Sequence, residues 1–110
     1  MCMSILVSGF QWDDGNWPKC AKHGVSKGEV ESALRNAVVE VPDPDPSEAR
    51  LRTVGRTELG RFVFVVFTYR SEGNETLIRP ISARFMHAKE IATYVEYEKT
   101  LAQPKDRQRG

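Results

Sequence analysis

Redox and metal chemistry have little to work with in this chain. Its 110 residues include two cysteines, Cys2 and Cys20, and two histidines, His23 and His87. The cysteines have neither metal-ligand nor redox spacing, so both are expected to stay thiols in a reducing cytosol. A metal site needs three or four ligands, and His87-Ala88-Lys89-Glu90 supplies two. A glycine-rich phosphate loop is missing, and Ser82 lacks the nucleophile-elbow setting of a serine hydrolase. Apolar runs fall far short of the ~20 residues of a membrane span. Met1 to Gly9 is too short, and lacks the basic start, for a secretory signal. Charge of one sign is lacking too: sixteen Lys and Arg stand against fifteen Asp and Glu, a net charge of +1. The expectation is a cytoplasmic protein with no metal, no cofactor and no membrane contact.

What is present is a globular composition, 40% hydrophobic and 28% charged, at the length of one domain. That domain is expected over residues 1–103, with 104–110 as a charged tail. The charges are unevenly spread. Residues 1–48 carry four Lys and Arg against eight Asp and Glu, whereas residues 49–110 carry twelve against seven. A basic half can present a patch to an anion although the total is near zero.

Local signals give an element order. Ile5 to Val7, then Phe10 and Trp12 in alternation, read as a short strand or an arm on the core. Asp13-Asp14-Gly15-Asn16 starts a turn or helix, Pro18 fits a first helical turn, and Gly24 closes a short helix from Asn16 or Trp17 to Lys22. Ser26-Lys27-Gly28-Glu29 has capping-box spacing, and Val30, Ala33, Leu34 and Ala37 form one apolar helical stripe behind it. Val38 to Val41 reads as a strand, and the proline-rich Pro42 to Ser47 as a loop. Leu51 to Thr57, with Gly55 inside, is a second strand. Phe62 to Phe67 is an unbroken β-branched and aromatic run, the candidate central strand covered on both faces. Thr76 to Arg84 is the fourth, with Pro80 implying an edge or a bulge. A last helix spans about Ala88 to Leu101, its buried stripe predicted as Ala88, Ile91, Ala92, Val95 and Ala102. Tight hairpins make the sheet antiparallel. The fold class is α+β: two N-terminal helices, a four-stranded antiparallel sheet and a C-terminal helix, with the helices on one side in two layers.

Chemistry concentrates in Arg79 to Glu90, a strand running into a helix. It carries Arg79, Arg84, His87, Lys89 and Glu90 within twelve residues. Histidine alone titrates near neutrality without help. His23, at a helix C-terminus, suits the helix dipole equally well, and His87 is flanked by Arg84 and Lys89. Arg52 and Arg56 share a strand face by parity, whereas Arg79 and Arg84 are on opposite faces under strict alternation. A bulge near Pro80 would bring them together; without one, Arg84 and His87 face the site and Arg79 is structural. A basic sheet of this kind suits RNA cleavage without metal, which needs a cation on the phosphate, a base for the 2′-hydroxyl and an acid for the leaving oxygen.

Phe10-Gln11-Trp12-Asp13, Lys22-His23-Gly24-Val25-Ser26, Val54-Gly55-Arg56 and Arg79-Pro80-Ile81-Ser82-Ala83-Arg84 fall in an order that resembles the BrnT family of bacterial toxins. The resemblance covers about Gly9 to Glu98. It implies a RelE-like fold and a ribonuclease that stops growth by cutting RNA. It also implies a cognate antitoxin with a ribbon-helix-helix DNA-binding domain, in a hetero-oligomer with the toxin. Carried over by position, it points to Lys22, His23, Arg56, Arg79 and Arg84. Arg84 is then expected on the phosphate and its transition-state charge, with His23 or His87 moving the proton. Lys22, Arg52, Arg56, Arg79 and Lys89 are candidates for the RNA backbone. Tyr94 is a candidate for stacking on a base or hydrogen-bonding the site, and equally for helix-edge packing. Two other readings stay open: a non-catalytic module that pairs with the antitoxin, and a metal hydrolase using His87 and Glu90.

Overall fold

Ser26 and Glu29 form the capping box that their spacing implies. The Ser26 hydroxyl accepts from the Glu29 N–H, and the Glu29 carboxylate accepts from the Ser26 N–H. In the computed structural model, which describes residues 7–37, 40–42 and 49–102, this box opens helix α1, Lys27–Arg35. Its stripe, Val30, Ala33 and Leu34, is buried as predicted, with Ala37 just beyond the helix end.

The first helical segment is shorter and tighter than the sequence implies. It is a 3-10 helix, Lys19–His23, closed by Gly24 in the left-handed region at φ 86°. Residues 13–17 are consumed by a turn. The Asp13 carbonyl accepts from the Asn16 and Trp17 amides, and Asp13 Oδ1 accepts from Gly15. Asn16 is buried and fully engaged. Its amide donates to the Gln11 and Pro80 carbonyls, and its oxygen accepts from the Asp13 N–H. That side chain pins the N-terminal arm to the sheet.

Five strands form one mixed sheet: β1 Gly9–Phe10, β2 Val41–Pro42, β3 Leu51–Arg56, β4 Phe62–Glu72 and β5 Glu75–Phe85. Their order is β1-β5-β4-β3-β2. The four later strands are antiparallel neighbours, but β1 lies parallel to β5, with Gly9 opposite Leu77 and Phe10 opposite Ile78. The expected four-stranded antiparallel sheet is corrected to five strands and mixed pairing. A parallel strand needs no hairpin, so no turn signal announces it. β4 is central, as its composition implies. The predicted residues Cys2, Ile5, Leu6, Val38 and Val39, most of the proline-rich loop and the 104–110 tail lie outside the described residues, as does the side chain of Ala102.

Helix α2, Ala88–Ala102, occupies the opposite side of the sheet from α1. Val63, Val65 and Phe67 of β4 join Val30, Ala33 and Leu34 in the main core. The alternate set includes Phe62, which meets Tyr94 of α2 edge-on at 5.9 Å. Alternation along β4 therefore serves two covers, and the layers number three rather than two. The predicted α2 stripe also changes: Ala88 and Ala92 are exposed, Ile91 and Val95 are half-buried, and among the described side chains of the helix Tyr94 is the buried one.

Gly55 is where α1 meets the sheet. A Cβ there would sit 1.8 Å from the Ala33 carbonyl oxygen and 2.6 Å from its carbon. Backbone contacts of this kind leave no room for a side chain. Gly55→Ala is expected to destabilise the protein by about 1–3 kcal/mol, the usual range for overpacking, measured by chemical denaturation. An unchanged midpoint would mean that α1 shifts freely off β3.

Candidate functional site

The bulge implied by Pro80 is present and decides which arginines share a face. Along the β4–β5 ladder Val66 pairs with Ser82 and Phe67 with Pro80, leaving Ile81 as the extra residue. The register places Arg79 opposite Thr68 and Arg84 opposite Phe64. Thr68 and Phe64 are an even number of residues apart, so the bulge brings the two arginines to the α2 side of the sheet, where unbroken alternation would separate them. They remain four β4 positions apart, roughly 13 Å at about 3.3 Å per residue.

Their partners divide them further. Arg79 holds Asp13 with Nη1 at 2.8 Å and Nη2 at 3.0 Å, and donates to Gln11 at 3.0 Å. Its side chain is only 15% exposed. Arg79 thus ties the N-terminal arm to β5. Arg84 instead makes a two-pronged pair with Glu90 of α2, Nη1–Oε1 at 2.8 Å and Nη2–Oε2 at 2.9 Å. Its guanidinium lies 4.9 Å over the Phe64 ring. Glu90 also accepts from the His87 N–H at 2.9 Å, while the His87 carbonyl accepts the first helical bond from Ile91. One carboxylate therefore caps α2 and orients the arginine.

A stripe at four-residue spacing, Glu90, Tyr94 and Glu98, holds α2 to the sheet. The Tyr94 hydroxyl reaches the Val54 carbonyl at 3.4 Å. Glu98 pairs with Arg56, whose guanidinium stacks 4.4 Å from the Phe62 ring. Between this stripe and β3–β4 lies an open cleft of about 730 Å³. Arg52, Arg84 and Lys89 line it with Glu90, and Val41, Phe64, Met86, Tyr94 and Tyr97 supply apolar and aromatic wall.

Of the residues singled out in the sequence, the cleft collects Arg84, Arg52, Lys89 and Tyr94. It does not collect the others. Lys22 and His23 are exposed at the end of the 3-10 helix, and His87 is exposed beside the cleft, between Met86 and the start of α2. Arg56 is engaged by Glu98, and Arg79 by Asp13. Glu90, considered above only as a metal ligand, is instead the partner of Arg84. Its four-residue spacing from Tyr94 and Glu98 was the readable signal. Tyr97 was missed altogether.

Burial pushes the Cys20 thiol up to about 11, which keeps it protonated and inert. Burial, then the neighbouring Glu98, raises the Tyr94 hydroxyl. Hydrogen bonding from Arg84 is the main cause that lowers Glu90 to about 2, with the His87 amide next, and the same pair raises Arg84. Among the described residues no three His, Cys, Asp or Glu side chains gather into a metal-binding group, and no helix is long and apolar enough to cross a membrane.

Fold and site together define a small α+β protein with an aromatic-walled cleft, lined also by Arg52, Arg84 and Lys89, beside its last helix. A family model described as ribonuclease toxin, BrnT, of type II toxin–antitoxin system matches residues 12–90, and the chain belongs to that family. No match is found among curated proteins or among solved structures. Membership implies RNA as substrate and an antitoxin as partner.

A carboxylate whose folded pKa is depressed stabilises the fold above its ordinary value and loses that contribution as pH falls. For Glu90 the contribution is complete above pH 4.5 and is lost as pH falls toward about 2. Glu90→Gln is expected to be less stable than the parent near neutrality, with the gap closing in acid. Denaturation midpoints across that range check it. A gap independent of pH would place the stabilisation in packing rather than in charge.

Proposed function

We propose that this protein is an endoribonuclease toxin that cleaves RNA by metal-independent acid–base chemistry in the cleft beside α2. The observation that carries the reading is the Arg84 guanidinium, held in a fixed plane by Glu90 and Phe64 within a cleft that Arg52 and Lys89 also line. A planar cation held in advance suits a phosphodiester whose charge grows in the transition state. In the reaction the 2′-oxygen attacks the adjacent phosphorus and the bond to the 5′-oxygen breaks. A base takes the 2′-hydroxyl proton, and an acid returns one to the leaving oxygen. His87 is the better-supported proton-transfer group, since it is solvent-accessible at the start of α2 next to Met86 of the cleft wall. His23 stands at the far end of the 3-10 helix, and with Lys22 it suits contact with a longer stretch of RNA. Glu90 suits orientation rather than proton transfer, because a carboxylate lowered to about 2 is a weak base.

The expected setting is the cytoplasm, where the toxin inhibits growth until an antitoxin with a ribbon-helix-helix domain binds it. The α+β class supports the reading as a RelE-like toxin. A second reading has its own support. Neither histidine lines the cleft, and Arg84 and Arg56 are each paired with a carboxylate of α2. Those pairs suit a non-catalytic module that has kept only its antitoxin partnership.

Purified protein is expected to cut RNA in the presence of chelator. Arg84→Ala should slow cleavage by about 100-fold or more, as should His87→Ala, both with the circular dichroism unchanged. Undiminished cleavage by Arg84→Ala would remove that residue from the mechanism. Parent protein that leaves RNA intact yet co-purifies with the antitoxin would establish the non-catalytic reading.

A further inference from the structure

Tyr94 and Tyr97 differ in what they can offer a ligand. Tyr94 is 7% exposed, with its hydroxyl on the Val54 carbonyl and its ring edge-on to Phe62. Little of it is left for a ligand to cover. Tyr97, three residues on, is 43% exposed and lines the same cleft. Its ring stands 6.1 Å from that of Tyr94, tilted by 49°. Tyr97 thus stands beside the buried Tyr94 and keeps much of its own surface exposed. Val41, also exposed, and Met86 continue the apolar wall.

The chemistry of the remaining wall selects the occupant. Lys89 lines it beside the Arg84–Glu90 pair, and Arg52 adds a further guanidinium. A purely apolar ligand would make no use of the Arg84 and Lys89 donors, and a bare phosphate would leave the aromatic wall empty. A nucleotide unit of single-stranded RNA satisfies both, with its phosphate toward Arg84 and Lys89 and its base on an aromatic face. The volume of about 730 Å³ is of the size that small-ligand clefts have.

We propose that Tyr97 is the base-stacking platform of the cleft, holding the nucleobase next to the phosphate that Arg84 engages. The assignment rests on the ribonuclease reading and adds a residue to it. Stacking uses the ring face alone, so the subsite accepts any base and favours the larger purines. The hydroxyl of Tyr97 has no part in it.

The test compares the parent protein, Tyr97→Phe, Tyr97→Ala and Lys89→Ala. The probes are uncleavable 2′-O-methyl hexaadenylate and hexauridylate, and the same backbone without bases, each followed by fluorescence anisotropy. Tyr97→Ala should weaken both base-bearing probes by roughly 5- to 150-fold and leave the abasic probe unchanged. Tyr97→Phe should match the parent on all three. Lys89→Ala should weaken all three alike and reduce the salt dependence. If the parent cleaves RNA and binds these probes while Tyr97→Ala binds them equally well, the stacking role falls and the ribonuclease reading stands. If the parent neither binds nor cleaves RNA, both fall together. Loss of antitoxin co-purification in Tyr97→Ala, with RNA binding intact, would make this wall a protein-docking surface and overturn the proposal.

Discussion

The pair between Arg84 and Glu90 determines where the last helix lies and what the cleft contains. Among its described side chains α2 buries only Tyr94 fully, with Ile91 and Val95 half-buried and Ala88 and Ala92 facing solvent. Its attachment is polar at both ends, Glu90 on Arg84 and Glu98 on Arg56, with the Tyr94 hydroxyl on the β3 backbone between them. Ion pairs at a half-exposed surface are individually weak. Here they gain from geometry: the Arg84 pair is two-pronged, and Glu90 also caps the helix it belongs to. Structural and chemical demands fall on the same guanidinium. The arginine that seats α2 is the one we propose for the phosphate.

The sheet separates those demands by face. One face carries Val63, Val65 and Phe67 into the core under α1, pressed so closely that Gly55 touches the Ala33 backbone. The other carries the arginines. The extra residue at Ile81 is what allows Arg79 and Arg84 to share it, yet they serve different purposes because different carboxylates reach them. Asp13, brought back by the arm that Asn16 pins, takes Arg79 out of the cleft. Pro80 marks the site of this change, since it cannot donate to a regular ladder.

Much of the local structure was readable because its causes are local. The capping box at Ser26, the buried stripe of α1, the left-handed Gly24 and the central β4 run each rest on residues within a few positions of one another. The bulge at Pro80 was readable as one of two outcomes. Less visible were the parallel β1, which no hairpin announces, and the side of the sheet on which α2 packs. The stripe assigned to α2 followed hydrophobicity, whereas the helix docks by carboxylates and one tyrosine. That choice also hid Tyr97, which stands exposed beside the buried Tyr94.

By itself, the sequence determined the α+β class, the positions of most elements and the concentration of charged groups in Arg79 to Glu90. Those properties follow from backbone sterics, capping and short-period patterning. Tertiary structure alone decided which charged groups are spent on structure and which line the cleft. Arg79 meets Asp13 across 66 residues and Arg56 meets Glu98 across 42. Pairings at that separation depend on register, on one extra strand residue and on the face that a helix covers, and no local preference encodes them.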